Sequence, residues 1–213
     1  MGRIPARRRY ARLERAFDRR YGVETAGVVH LGTLDIPAGD PLFGVSYDAV
    51  HPERFRSVVG SLPIEYERFT FVDLGSGKGR ALVLAAELPF RRVIGVEFSR
   101  ELHEVALANV ERVRHRGVPP RADRIASLWL DAAQFEFPLE PLVVHLYNPF
   151  FGPVLDSVLR NVVRSVQAVP RDVLLCFTGD VPAAVRRGDA FAPLAVGPGA
   201  DSPVHRVVAA TTA

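Results

Sequence analysis

A single cysteine, Cys176, leaves the chain unable to form an internal disulfide or a cysteine-based metal cluster. That scarcity points to a reducing compartment. Cys176 lies in the apolar run Val173-Leu-Leu-Cys-Phe177 and reads as a core residue rather than a nucleophile. No apolar run approaches the roughly 20 residues that a membrane span requires. The basic N-terminus leads into Ala11-Arg-Leu-Glu-Arg-Ala-Phe-Asp18 and not into the apolar core of a leader peptide, so a cytoplasmic protein is expected. Internal repeats and low-complexity tracts are also missing, which excludes solenoids and arrays.

A large excess of charge is missing too. The net charge is +3, but residues 1–20 hold eight arginines against Glu14 and Asp18, a balance of +6 that leaves −3 for residues 21–213. A nucleic-acid partner would have to use this N-terminal arm alone. With 213 residues the chain makes one domain, or one domain with an extension, that can bury roughly 70% of its unfolded surface.

What the chain does have is the stretch Phe69-Thr-Phe-Val-Asp-Leu-Gly-Ser-Gly-Lys-Gly79. Phe69 to Leu74 is aromatic and β-branched, as a buried strand is, and Arg80 to Leu88 switches to helix formers. Gly75, Gly77 and Gly79 therefore occupy a strand-to-helix turn, where a ligand can approach backbone N–H groups at a helix N-terminus. Neither phosphate motif fits. A dinucleotide loop needs glycine where Arg80 stands, and a P-loop needs Ser or Thr where Gly79 follows Lys78. Asp73, two residues before the first glycine, would repel a pyrophosphate and attract a sulfonium or an ammonium, although Lys78 in the same loop opposes this. One βα unit later, Arg92-Val-Ile-Gly-Val-Glu97 is a second strand ending in an acid, about 20 residues beyond the glycines, where a carboxylate can accept both hydroxyls of an adenosine ribose.

Together, Asp73-Leu-Gly-Ser-Gly-Lys-Gly79 and Val93-Ile-Gly-Val-Glu97 resemble the class I, seven-strand S-adenosylmethionine (SAM) methyltransferases. The resemblance implies an α/β fold: a three-layer, Rossmann-like sheet of seven strands in the order 3-2-1-4-5-7-6, with one antiparallel edge strand. It implies a helical and loop extension over residues 1–62 ahead of a SAM-binding domain over 63–213. The cofactor would be SAM, leaving S-adenosylhomocysteine (SAH), with no metal. Asp73, Gly75, Ser76, Gly77, Gly79, Glu97 and Phe98 match the cofactor-binding positions. Asp131 and Ala132, at the end of the third strand, match those that read the adenine edge, and helix or loop capping is the alternative for Asp131.

Asn148-Pro149-Phe150 follows the fourth strand, Leu142 to Tyr147, and resembles the Asn-Pro-Pro-aromatic motif of N-methyltransferases, with Phe150 replacing the second proline. Asn148 would then serve both cofactor and acceptor, Pro149 and Phe150 the acceptor. The alternative is that Asn148 caps the loop while Phe150 packs. Tyr47 and His51, in Tyr47-Asp-Ala-Val-His-Pro52, loosely match the tyrosine-containing loop over SAM in the non-SET lysine methyltransferases, and His51 could accept a proton. A histidine before proline also reads as a cap. His103 and His145 read as structural.

The rest of the chain fills in the plan. Pro5 to Arg20 is helical in composition, with Tyr10, Leu13 and Phe17 as the packing stripe and arginines toward water. Val28 to Val45 reads as extended segments and loop, and Pro52 to Leu62 as a helix. Residues 190–196 and 204–210 read as an antiparallel hairpin. The function expected is SAM-dependent methyl transfer to nitrogen, with protein, RNA and small-molecule acceptors all open. A non-catalytic SAM-binding module and an NAD-dependent oxidoreductase are the alternatives.

Overall fold

The computed structural model describes residues 6–30, 32, 34, 44–196 and 203–208. Five parallel strands lead the sheet: β1 (Thr70–Leu74), β2 (Arg92–Glu97), β3 (Ile125–Trp129), β4 (Leu142–Leu146) and β5 (Val173–Phe177). A hairpin of β6 (Phe191–Pro193) and β7 (Val204–Val207) completes seven strands in the order β3-β2-β1-β4-β5-β7-β6. β7 is the reversed strand, antiparallel to both β5 and β6, so it lies one place inside the edge and β6 is outermost. The composition explains this refinement of the expected plan. β7 buries Val204, His205 and Val207, whereas β6 is only partly buried and carries Pro193, which lacks the N–H an interior strand would use.

Strand alternation splits the core in two. Phe71, Val93, Val143, Leu174 and Cys176 face the layer containing α1 (Ala6–Tyr21), α2 (Pro52–Val58), α3 (Arg80–Ala85) and α4 (Arg100–Arg116). Val72, Ile94, Val144, Leu175 and Phe177 face α5 (Gly152–Ala168) and α6 (Ala183–Arg187). β1, β4 and β5 are buried along their whole length, so the site they carry rests on the stiffest part of the sheet. Ser99 caps α4 by accepting from the Leu102 N–H at 3.4 Å, and Gly117 ends it in the left-handed region.

α1 packs by a different stripe from the one expected. Phe17 and Tyr21 are buried but Leu13 is exposed, and Glu14 takes an inward position; the side chain of Tyr10 lies outside the described set. The reason is Arg80, itself 2% exposed, whose Nη1 lies 3.3 Å from Glu14 and whose Nη2 lies 3.7 Å from Asp18. A buried guanidinium needs counter-charges, and it draws both acids of the helix inward. Arg12, Arg15 and Arg19 are left exposed on the opposite face.

Candidate active site

The site is a cleft at the carboxyl ends of β1, β2 and β4, where open α/β sheets bind ligands. β1 carries Asp73 one residue before its end, and the chain then turns through Gly75, Gly77 and Gly79, all at positive φ. Two of the three glycines are required by close approach. A Cβ on Gly75 would meet Pro149 Cβ at 2.3 Å, and one on Gly77 would meet the Tyr47 ring at 2.2 Å. The turn is pinned to the second strand, because the Gly75 and Ser76 N–H groups both donate to the Val96 carbonyl.

Glu97, at the end of β2, is buried and lines the cleft. Its Oε2 accepts from the Gly77 N–H at 2.8 Å and its Oε1 from the Ser99 N–H at 2.9 Å. Burial raises this carboxyl to about 7, partly countered by the Ser99 and Gly77 N–H groups. Each carboxylate oxygen has a second lone pair, so capacity to accept hydroxyls toward the cleft remains. Beyond Glu97, the Trp129 indole donates to the Phe98 carbonyl at 2.9 Å and the Leu130 N–H to the Glu97 carbonyl at 3.0 Å. These bonds bring the ends of β2 and β3 together, so Phe98, Asp131 and Ala132 line one wall. Asp131 Oδ1 accepts from the Ala133 N–H at 2.8 Å, capping a single 3₁₀ turn while also facing the cleft. The two readings of Asp131 are compatible.

Asp73, Glu97, Asp131 and Asp48 contribute carboxylates to the lining. Arg80 is the one Arg or Lys among the described lining residues, and its charge is spent on Glu14 and Asp18. Lys78 points elsewhere. Its ammonium donates to the Ala26 carbonyl at 3.2 Å and stands 5.1 Å from the centre of the Tyr47 ring, and burial lowers its pKa. The objection that Lys78 raised against a cationic ligand is removed by this orientation, and the cleft suits a sulfonium.

The order seen here is the one the resemblance implies: acids closing β1 and β2, a glycine turn between them, and β4 beside β1. This is the fold of the class I SAM-dependent methyltransferases. No family model matches the chain. An alignment 101 positions long, covering 44% of the chain, is 30% identical to a histone-lysine N-methyltransferase, H3 lysine-79 specific, of Dictyostelium discoideum. The match spans 5% of that relative's length. Among solved structures, an RNA methyltransferase from Salinibacter ruber in complex with SAH aligns over 76% of this chain and 94% of that one, with a TM-score of 0.47 and 21% identity. A SAM-dependent methyltransferase from Geobacter sulfurreducens, also with SAH, aligns over 59% and 48%, with a TM-score of 0.40 and 18% identity.

The loop after β4 carries Asn148 into the cleft lining, the one non-glycine residue at positive φ (46°) among the described residues. Its Oδ1 accepts from the Asp180 N–H at 2.9 Å, which ties the loop after β4 to the loop after β5. Pro149 presses on Gly75, and Phe150 pairs with Gly44 in an isolated bridge. Both line the cleft. Tyr47 lines the other side, its hydroxyl donating to the Thr25 carbonyl at 2.6 Å. Burial raises the Tyr47 phenol and, with Asp48 nearby, the Tyr147 phenol, so both stay neutral hydroxyls near pH 7.

His51 is placed otherwise. Its Nδ1 accepts from the Glu53 N–H at 3.3 Å, capping α2, and it is not part of the cleft lining. Gly79 also stays out of the lining; it sits at φ 85° as the residue that starts α3. His145, read as structural, does line the cleft, as do Asp48 and Tyr147, which sequence reasoning missed. Asp48 and Tyr147 each sit beside a residue that was singled out, Tyr47 and Asn148. Cys176 is fully buried and its thiol is pushed up by desolvation, as a core residue's would be.

Proposed function

We propose that this protein is a SAM-dependent methyltransferase acting on a nitrogen acceptor, and that the acceptor is an amine of a protein side chain. The observation that carries the reading is one cleft with two ends. Asp73, Glu97 and the glycine turn form the end suited to a cationic nucleoside, and Asn148 in a left-handed backbone forms the other. The residues present fit SAM: Gly75 and Gly77 line the cleft without side chains to fill it, Glu97 and Asp131 can accept hydroxyl and amine hydrogens, and Asp73 complements positive charge. The 30% identity with a histone-lysine N-methyltransferase supports an amine acceptor.

When bound, SAM supplies a methyl group already activated by its sulfonium. The protein is left with positioning and with keeping the acceptor nitrogen unprotonated. Asn148 Oδ1 has one lone pair engaged by Asp180 and a second available for an amine hydrogen. The Tyr147 and Phe150 rings bound the same space, and Asp48 at the cleft offers a carboxylate that can hold an ammonium and take up its proton through water. A nucleic-acid acceptor would instead draw on the exposed arginines of α1.

The test is transfer of tritiated methyl from SAM into lysate of the source cell, separated by size, with Asp73→Ala as control. Label in protein that vanishes with the control supports the reading. Label in RNA or in small molecules overturns the acceptor, and SAH binding without any transfer points to a binding module. Stabilisation by NAD in preference to SAH in a thermal-shift assay would overturn the cofactor.

A further inference from the structure

Asp73 and His145 are cross-strand partners in the register of β1 and β4, and their side chains meet: His145 Nδ1 lies 2.6 Å from Asp73 Oδ1. His145 Nε2 lies 2.8 Å from the hydroxyl of Thr178, the residue that follows β5. All three are buried, with Asp73 at 4% exposure and His145 at 1%. The imidazole cannot turn. Phe71 stacks on it at 5.7 Å and Phe55 meets it edge-on at 5.3 Å. A ring held by aromatics on its faces and a partner at each nitrogen costs desolvation that an apolar residue at this mid-strand position would avoid. The arrangement has one direction: it takes Asp73 Oδ1 and leaves Oδ2 for the cleft that Asp73 and His145 both line.

The same chain of contacts reaches the far end of the cleft. Thr178 is followed by Gly179, against which the Asn148 side chain packs so closely that a Cβ there would meet Oδ1 at 2.1 Å, and by Asp180, whose N–H holds that Oδ1. We propose that His145 is a positioning residue: by anchoring Asp73 to the loop after β5, it sets the carboxylate that receives the cofactor in fixed relation to Asn148. This rests on the methyltransferase reading above. It assigns to His145 a role in ligand affinity, not in proton transfer.

Three variants separate the two nitrogens. His145→Asn keeps a donor at the Nδ1 position, His145→Gln keeps a polar group only at the Nε2 position, and His145→Leu keeps neither. SAH affinity is measured by calorimetry at a temperature where thermal denaturation shows each variant folded. Because the anchoring needs both nitrogens, positioning predicts that all three variants weaken SAH binding, His145→Leu by about 10-fold or more, the worth of a hydrogen bond to a charged group. Wild-type affinity in any of the three overturns it. Where these variants do not fold, Thr178→Val carries the test: SAH affinity lowered at an unchanged Tm supports the role, and unchanged affinity overturns it. Asp73→Ala distinguishes the layers. Undiminished SAH binding there overturns the cofactor reading itself, whereas loss in Asp73→Ala with none in His145→Gln and His145→Leu overturns only the role of His145.

Discussion

The ring of Tyr47 stands where a side chain on Gly77 would have to be, 2.2 Å and 2.3 Å from Cδ2 and Cε2 to the position of a Cβ. Gly77 also holds φ at 52°, a left-handed conformation that costs other residues about 1 kcal/mol or more. Gly77→Ala is therefore expected to displace the ring, lower the Tm and weaken SAH binding by at least about 10-fold. Tyr47→Phe keeps the ring and loses only the bond to the Thr25 carbonyl, so it should cost about 1 kcal/mol of stability and leave SAH affinity near wild type. Calorimetry and thermal denaturation of both variants check this pair. An alanine at 77 with unchanged affinity would mean that the ring does not hold the turn.

Arg80 predicts a large stability effect outside the cleft chemistry. Arg80→Ala leaves Glu14 and Asp18 facing a buried site without their counter-charge, which is expected to cost roughly 3–5 kcal/mol in urea denaturation. Glu14→Ala should cost less, because Arg80 keeps Asp18 and the Thr25 hydroxyl at 2.8 Å. Equal, small effects from both would show that α1 contributes little to the folded state.

Glu97 gives stability a pH dependence of known sign. Its carboxyl is raised from 4.5 to about 7 in the folded protein. Between those values the folded protein keeps a proton that the unfolded chain has released, so this contribution is full below the lower value and lost as pH rises through the upper one. The loss is on the order of 3 kcal/mol. Glu97→Gln removes it, so wild type minus variant stability, from urea titrations between about pH 3.5 and 8 (about one unit beyond each end of the window), should fall as pH rises. A flat difference would place the carboxyl at its ordinary value.

Asn148 is predicted to act on turnover alone. Asn148→Ala removes Oδ1 from both Asp180 and the acceptor, and the expected result is methyl transfer lowered by at least about 100-fold with SAH affinity unchanged. Asn148→Gly, which accepts φ 46° without strain, should fold at least as well and be equally inactive. Transfer at the wild-type rate in either variant would remove Asn148 from the acceptor site.

The sheet was legible because its central strands are short, mostly apolar runs, three of which end at or beside a chemically distinct residue: Asp73, Glu97, Asn148. The reversal of β7 inside the edge was harder, since two short segments of similar composition differ mainly by Pro193. Cap residues were legible as alternatives, and His51 and Asp131 both cap. His145 was not legible. A histidine in mid-strand has one partner on the neighbouring β1, 72 residues away, and another just after β5, 33 residues away, and only the register of β1 against β4 reveals that it faces an acid. The inward turn of Glu14 was hidden for a similar reason: the periodicity of α1 favours Leu13, and only a buried guanidinium 66 residues later outweighs it.

Two positions so far apart along the chain that share one buried charge are bound in descent as well. A replacement of Arg80 by an apolar residue leaves two acids stranded, and a lone loss of Glu14 leaves the guanidinium short of a partner, so neither change is neutral by itself. Relatives that have lost the arginine after the third glycine are expected to have lost the acids of the first helix too, and a comparison of homologues should find these positions changing together.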